Sequence, residues 1–465
     1  MAGIVSYGAY IPRYRLGKGT AGWNLPVEKP VANFDEDSIT MAVAAGMDCI
    51  SGLDRNAVDA LFLATTTSPY IEKQGAAVVA AAVDLRRNIF TNDVTNSLRA
   101  GTLAMRSALD AIAAGSAKQA MVTAGDCRMG VPLSEFDQTI GDGGGAILLG
   151  NTGVIANVID SYSVTEETMD VWRVEGDKFV RTWEDRFVLE TGYLKILPEA
   201  VSGLLQRCEM GPKDITRAVF YAPNARRHTE MARKLGFDAK QVQEPLFGKM
   251  GNTGAAFPMM LLSSALEQAK PGDKILLGGY GDGADAYLLE VTDEIKNLGP
   301  RRGVKGHLES KRILSDYATY VRWHNLMGQG ERLSGNPPSV SARYREREAI
   351  DRLHGGRCKS CGLVQFPAQR VCSRCHTKDN IETVRLSDKK GKIFTFSLDY
   401  VAPSVDIPLA ITIIDFEGGG RGLFEMTDRE VDEVKCEAPV EMSFRKLRSS
   451  GGVHNYFWKA IPPRV

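Results

Sequence analysis

Three stretches of this chain recur in the same order, and that duplication restricts the fold more than any single motif does. "VDALFLATTT" at 58–67 matches "ITRAVFYAPN" at 215–224, and "NSLRAGTLAMRSALDAIAAGSAKQAMVTAGD" from Asn96 matches "NTGAAFPMMLLSSALEQAKPGDKILLGGYGD" from Asn252. "GDGGGAILL" from Gly141 then matches "GDGADAYLL" from Gly281, so the three pairs are offset by about 157, 156 and 140 residues. Ordered self-similarity marks a duplicated supersecondary unit. β-rich stretches alternate with helical ones as far as residue 300, which predicts an α/β class. The expected architecture is two βαβ halves packed face to face, with a site between them. The two repeated helices are apolar on most of their circumference, through Leu98, Leu103, Met105, Leu109 and Ile112 in one and Phe257, Met259, Leu261, Leu262 and Leu266 in the other. Such helices belong at the centre of a large fold. Thr95 or Asn96 is expected to cap the first, leaving backbone N–H groups and partial positive charge at a crevice suited to an oxyanion.

Four of the eight cysteines fall in one cluster, Cys358-x-x-Cys361 and Cys372-x-x-Cys375. Two such knuckles close together supply four thiolates for a tetrahedral zinc with no open position, which predicts a structural metal and a reducing compartment. His376 follows directly and is read as a surface histidine. Residues 301–345 change in composition, with a partly helical basic stretch and then the Pro/Gly linker "GERLSGNPPSV". "YREREAIDRLHGGRC" reads as one helix entering the ribbon. Four short strands at regular spacing follow, which predicts a small β-barrel of the OB type. The expected boundaries are 1–160 and 161–300 for the two halves, 301–345 for a helical linker, 346–382 for helix and ribbon, and 383–465 for the barrel.

Charge excludes some classes of partner. Lys+Arg and Asp+Glu are equal at 57 each. From Glu346 onward there are 19 basic against 17 acidic residues, too even for a groove that tracks phosphates. No nucleic acid is expected. No apolar run is long enough to span a membrane and the N-terminus does not read as a signal segment, so the cytoplasm is the expected location.

The duplicated core, the "GDG" turns, "GNTGAA" and the elbow "NSLRAGT" together resemble the thiolase superfamily, in the branch of the 3-hydroxy-3-methylglutaryl-CoA synthases. The C-terminal part resembles the zinc-ribbon/OB-fold proteins that accompany such enzymes. The resemblance implies a duplicated thiolase-like fold layered αβαβα, a coenzyme A thioester as substrate, and a homodimer. It also places the catalytic positions. The nucleophilic cysteine of the family falls on Leu98, the histidine of its His-x-Pro turn on Tyr221, and its Gly-Asn on Gly251-Asn252. The glutamate base falls near Thr66 or Thr67, neither of which is acidic.

Leucine cannot attack a thioester, so acyl-enzyme chemistry through position 98 is excluded. Ser97 is one residue away and rotated by about 100° at a helix start. Cys127, in "AGDCRMG", is read as a core or surface thiol. Three readings follow. In the first, the chain resembles cysteine-less thiolase-like aldolases and cleaves a β-hydroxyacyl-CoA by a retro-aldol step. Tyr221 would be the acid/base, with a pKa lowered by its surroundings, and Asn252 and the N–H groups near Leu98 would hold the enolate. His228, on the next helix, is a lesser candidate. The second reading is a Claisen-type acyltransferase or hydroxymethylglutaryl-CoA synthase-like condensing enzyme, and the third a non-catalytic partner of an active homologue.

Overall fold

The structure, a computed structural model, describes residues 2–326 and 338–464, so most of the expected Pro/Gly linker lies outside the described residues. It divides into two compact units. The first comprises residues 1–32, 37–80 and 85–317, the second residues 33–36, 81–84 and 318–465.

In the first unit nine strands form one sheet. In chain order they are β1 (Gly3–Tyr10), β2 (Ala60–Thr65), β3 (Phe90–Thr95), β4 (Gln119–Asp126), β5 (Gly143–Gly150), β6 (Ala156–Thr165), β7 (Arg217–Phe220), β8 (Lys274–Tyr280) and β9 (Gly283–Val291). The spatial order is β7-β8-β9-β6-β1-β5-β4-β2-β3. Counted outward from the central β6–β1 pair, the repeated stretches hold matching places, β9 with β5, β8 with β4 and β7 with β2. Where β3 flanks β2, Val242 makes a single parallel bridge to Ala218 of β7. The halves join edge to edge where β1 pairs antiparallel with β6, Gly3 opposite Asn157 and Ile4 opposite Ala156. The two halves therefore also share one hydrogen-bonded sheet.

Five helices matter for the site: α1 (Ser38–Ile50), α2 (Ala100–Ala113), α3 (Leu194–Arg207), α4 (Ala225–Lys234) and α5 (Phe257–Leu266). α1 packs on β1, β4 and β5, and α3 on β6, β8 and β9. The inner pair, α2 and α5, touch each other, and α5 reaches strands of both halves. That position explains why every residue of α5 is buried, and Pro258 near its start sits where a missing N–H costs nothing. The predicted cap of α2 is corrected. Its N-cap is Arg99, without a side-chain cap bond, because Asn96 spends its position on a turn with φ +68° three residues earlier.

Arg99 locks α2 to the second half. Its buried guanidinium pairs with Asp285 at 3.3 Å and donates to the carbonyls of Val164 at 3.2 Å and Asp282 at 3.0 Å. Thr102 Oγ1 donates to the other Asp285 oxygen at 2.7 Å, and Tyr287 on the same strand donates to the Thr102 carbonyl at 2.7 Å.

In the second unit a closed five-stranded barrel is built from β10 (Gly391–Asp399), β11 (Leu409–Phe416), β12 (Arg421–Met426), β13 (Pro439–Ser450) and β14 (Val453–Ile461), in the order β10-β11-β12-β14-β13. Four of these coincide with the predicted strands. β14 was not anticipated, because "VHNYFWKAI" lacks clear alternation. The single helix predicted before the ribbon is also corrected. Two short helices, Val340–Arg345 and Arg347–Arg352, break at Glu346, and Leu353 at φ +52° ends the second. "HGGRC" is then a strand, His354–Cys358. At the ribbon tip the four thiols lie within 4.8 Å of one another, with Cys358 3.5 Å from Cys375 and Cys361 3.5 Å from Cys372. That cage fits a zinc ion with Zn–S bonds of about 2.3 Å, so these four residues hold a structural zinc. His376 is exposed.

Two outcomes test these assignments. Asp285→Asn leaves Arg99 buried without a counter-charge and should lower unfolding stability by about 3 kcal/mol in a denaturant titration. Cys372→Ser should abolish stoichiometric zinc by elemental analysis and expose the ribbon to limited proteolysis, because metal binding and folding are coupled there.

Candidate active site

The sheet brings the sequence-derived candidates to its strand ends, but into two neighbouring cavities instead of one. The elbow Asn96, Ser97, Leu98 lines a cavity of about 480 Å³ with Thr66, Gly281 and Asp282. Tyr221 and Asn252 line the other, of about 560 Å³, with Tyr193 and Tyr280. Arg128, Asp170 and Val171 belong to both walls.

Leu98 is 6% exposed and part of the hydrophobic core. The elbow approaches the "GGYGDG" turn closely, since a Cβ at Gly281, φ +150°, would fall 3.0 Å from Leu98 N and 3.1 Å from Arg99 N. Glycine is needed there for both conformation and space. Ser97 Oγ donates to the Gly281 carbonyl at 3.0 Å, which ties it to the turn as a structural hydroxyl.

Tyr221 directly follows β7, and its N–H donates to the Gly278 carbonyl at 2.9 Å. Tyr193, in a π-helical turn leading into α3, donates its hydroxyl to the Tyr221 carbonyl at 2.9 Å. Asn252 sits in an isolated bridge with Ile140, its N–H donating to the Thr139 carbonyl at 2.7 Å. Its amide donates to the Ala222 carbonyl at 3.1 Å and accepts from Gly254 N–H at 2.9 Å. Asn252 is thus positioned mainly by backbone. The expectation of a lowered Tyr221 pKa is corrected. Burial pushes it up to about 12, against the pull of Arg128. Tyr221 stays protonated and is suited to donating a hydrogen bond or a proton.

Three consecutive threonines stand at the end of β2. Thr65, Thr66 and Thr67 surround the Asp126 carboxylate with hydroxyl and N–H donors at 2.7–3.1 Å, and Ala255 N–H donates to it at 2.8 Å. Such a saturated carboxylate is a structural anchor. Cys127 lines neither cavity, and burial pushes its thiol up.

His228 also lines neither cavity. It lies buried on α4, its ring stacked on Phe220 at 4.5 Å, and burial alone lowers its pKa to about 4. It is a core histidine, which corrects its candidacy as a catalytic group.

Two residues that sequence reasoning passed over stand where the cavities meet. Asp170 is half-buried, and burial raises its pKa despite the nearby Tyr280 hydroxyl and the charge of Arg128. Arg128 is 6% exposed, and its Nε has no hydrogen-bond partner among the described residues. Nothing in "ETMDVWRV" singles out Asp170. Arg128 stands beside Cys127, where the thiol drew attention first.

Comparison with known proteins decides the family. The chain is 33% identical over 339 residues to hydroxymethylglutaryl-CoA synthase of Methanosarcina mazei, covering 69% of this chain and 97% of that protein. The chain belongs to the hydroxymethylglutaryl-CoA synthase family. The synthase of Methanopyrus kandleri is 31% identical over 337 residues, covering 69% of this chain and 96% of its own. Family models match residues 205–289 (3-oxoacyl-[acyl-carrier-protein] synthase III, C terminal), 345–380 (ChsH2, rubredoxin-like zinc ribbon domain) and 383–445 (ChsH2, C-terminal OB-fold domain). Among solved structures, an HMG-CoA synthase complexed with CoA superposes with a TM-score of 0.63 at 19% identity, over 72% of this chain and 92% of that one. The thiolase-like fold, the zinc ribbon and the OB barrel are therefore all present. No helix among the described residues is long and apolar enough to cross a membrane.

The buried histidine yields a pH prediction. His228 is held neutral in the fold, with a pKa of about 4 against 6.5 when exposed. The unfolded chain therefore takes up the proton first as pH falls from 6.5 toward 4, and stability is lost across that window by about 3 kcal/mol. His228→Phe removes this loss, so thermal melts of the two proteins should diverge below pH 6.5 in favour of the variant.

Proposed function

We propose that this chain works on a coenzyme A thioester, making or breaking a carbon–carbon bond through an enolate and without an acyl-enzyme. The observation that carries this reading is the buried Leu98 at the family's nucleophile position, next to cavities walled by Asp170, Arg128 and Tyr221. Neither Ser97, tied to Gly281, nor Cys127, half-buried with its thiol pKa pushed up, has the surroundings of a substitute nucleophile.

The relatives are named as synthases, which favours condensation over the cleavage expected from sequence. In that direction the Asp170 carboxylate takes an α-proton from the acyl-CoA, and the C–H electron pair moves into the thioester enolate. The enolate carbon attacks the carbonyl carbon of a second substrate. Its oxygen receives the displaced π pair and a proton from Tyr221, which Asp170 then restores. The N–H groups of Leu98 and Arg99 lie on the elbow beside Gly281, where a developing oxyanion can be held. Retro-aldol cleavage is the same sequence reversed. It is the second reading, favoured by the leucine, since neither direction needs a thiol.

Incubation with acyl-CoAs and β-hydroxyacyl-CoAs, followed by intact-protein mass spectrometry and product analysis, tests the proposal. New or shortened thioesters should form with no mass added to the protein. An acyl adduct on any residue would overturn it, and absence of turnover in both directions would favour a non-catalytic partner. Tyr221→Phe and Asp170→Asn should each lower turnover by about 100-fold. Because Asp170 must be ionised to accept a proton and burial raises its pKa, the condensing rate should fall as pH drops through that raised value.

A further inference from the structure

A third cavity, of about 700 Å³, lies at the opposite end of β7 and α5 from the candidate active site. Arg217, the first residue of β7, lines it, whereas Tyr221 follows the last, and Ser264 lines it near the C-terminus of α5. It shares no lining residue with the two cavities described above. One part of its wall is apolar. Val304 and Leu308, one turn apart on the short helix Gly303–Glu309, line it together with Val242 and Leu246. Gln243 and Ser264 are buried polar residues of the same wall, and Gln243 Nε2 donates to Ser264 Oγ at 3.3 Å. The charged groups are spent, with one exception. Lys249 pairs with Glu244 at 2.8 Å, Lys305 lies 4.0 Å from Glu309, and Glu267 accepts from the N–H groups of Val304 and Lys305. Arg217 is half-buried, donates through Nη1 to the Lys240 carbonyl at 3.2 Å, and forms no ion pair among the described residues.

We propose that this cavity is a separate binding site for a medium-chain fatty carboxylate, its head paired with Arg217 and its chain lying along Val242, Leu246, Val304 and Leu308. A carboxylate offers the guanidinium two parallel bonds, and the cavity volume falls in the range of small-molecule sites. A hydrophilic anion would leave the four apolar side chains in water, and a neutral chain would leave Arg217 unanswered. Occupancy involves no thioester and no step of the proposed reaction. Leu246 also holds the turn toward Asn252, because its carbonyl accepts from Met250 N–H at 2.8 Å and Gly251 N–H at 3.2 Å. A chain seated against Leu246 therefore touches the segment that leads to Asn252, while its head sits on the strand that leads to Tyr221.

The test is calorimetric titration of the full-length protein with decanoate, decanol and acetate, each kept below the concentration at which it aggregates. Decanoate should bind once per chain and tighter than decanol by on the order of tenfold or more, the scale of a charge-assisted pair. Acetate, which keeps the head and loses the chain, should bind weaker than decanoate by at least as much. Arg217→Gln should erase the preference for decanoate over decanol, and Arg217→Lys should keep part of it, since the charge remains and the fork is lost. Leu308→Ser should weaken decanoate and decanol alike. In hydrogen exchange, decanoate should slow the amides of residues 242–252 and 303–309. Excess coenzyme A should leave decanoate binding unchanged. Absence of saturable decanoate binding, equal affinity for decanoate and decanol, or a preference that survives Arg217→Gln each overturns the proposal. Displacement by coenzyme A would seat the carboxylate in the candidate active site, and also overturns it. Matching melting temperatures of Arg217→Lys and wild type separate these outcomes from misfolding.

Discussion

A guanidinium buried at the start of a central helix must be answered by a fixed charge, and Asp285 answers Arg99 from the other half of the duplicated core. With Thr102 and Tyr287 joined to the same network, the N-terminus of α2 is held against β9 and the turn that precedes it. Breaking a buried pair leaves an uncompensated charge, so this geometry resists deformation more than an apolar contact would. The elbow, Gly281 and the two cavities all depend on that registration. The site's precision therefore comes from a few polar residues whose role is positional.

Around that frame, the polar residues of the site divide by how their bonding capacity is spent. Asp126 has its carboxylate filled by backbone and hydroxyl donors, Asn252 gives its amide to backbone partners, and Ser97 gives its hydroxyl to a carbonyl. Arg128 and Asp170 keep capacity in reserve, and both stand where the two cavities meet. Unspent polar capacity in a buried place costs stability, so its persistence points to a ligand or to chemistry. Tyr221 belongs with them in a different sense. Its burial keeps the proton on oxygen, which makes it a donor and not a base.

Leu98 offers no group for covalent catalysis, while the elbow backbone lies close against Gly281. Tyr221, kept protonated by burial, does not titrate near neutrality as a histidine would. The two residues are chemically compatible with the proposed enolate route, because an enolate needs a proton inventory and an oxyanion site but no thiol. A carboxylate placed on another segment, Asp170, can take up the proton transfer that neither the leucine nor the tyrosine performs.

Sequence alone was enough for the duplication, the α/β class, the four-cysteine zinc site and four of the five barrel strands, because each rests on local spacing or on strict periodicity. The resemblance also singled out Leu98, Tyr221 and Asn252, and all three line cavities in the fold. It could not show that the halves join through β1 and β6 into one sheet, that Tyr221 and Leu98 line separate cavities, or that β14 closes the barrel. His228 looked available on a polar helix, and burial against Phe220 takes it out of reach. Arg128 and Asp170 lie 42 residues apart and in unremarkable surroundings. What makes them a pair is their shared place on both cavity walls once the chain is folded, and desolvation and unmet hydrogen bonds are properties of three-dimensional packing that no local pattern encodes.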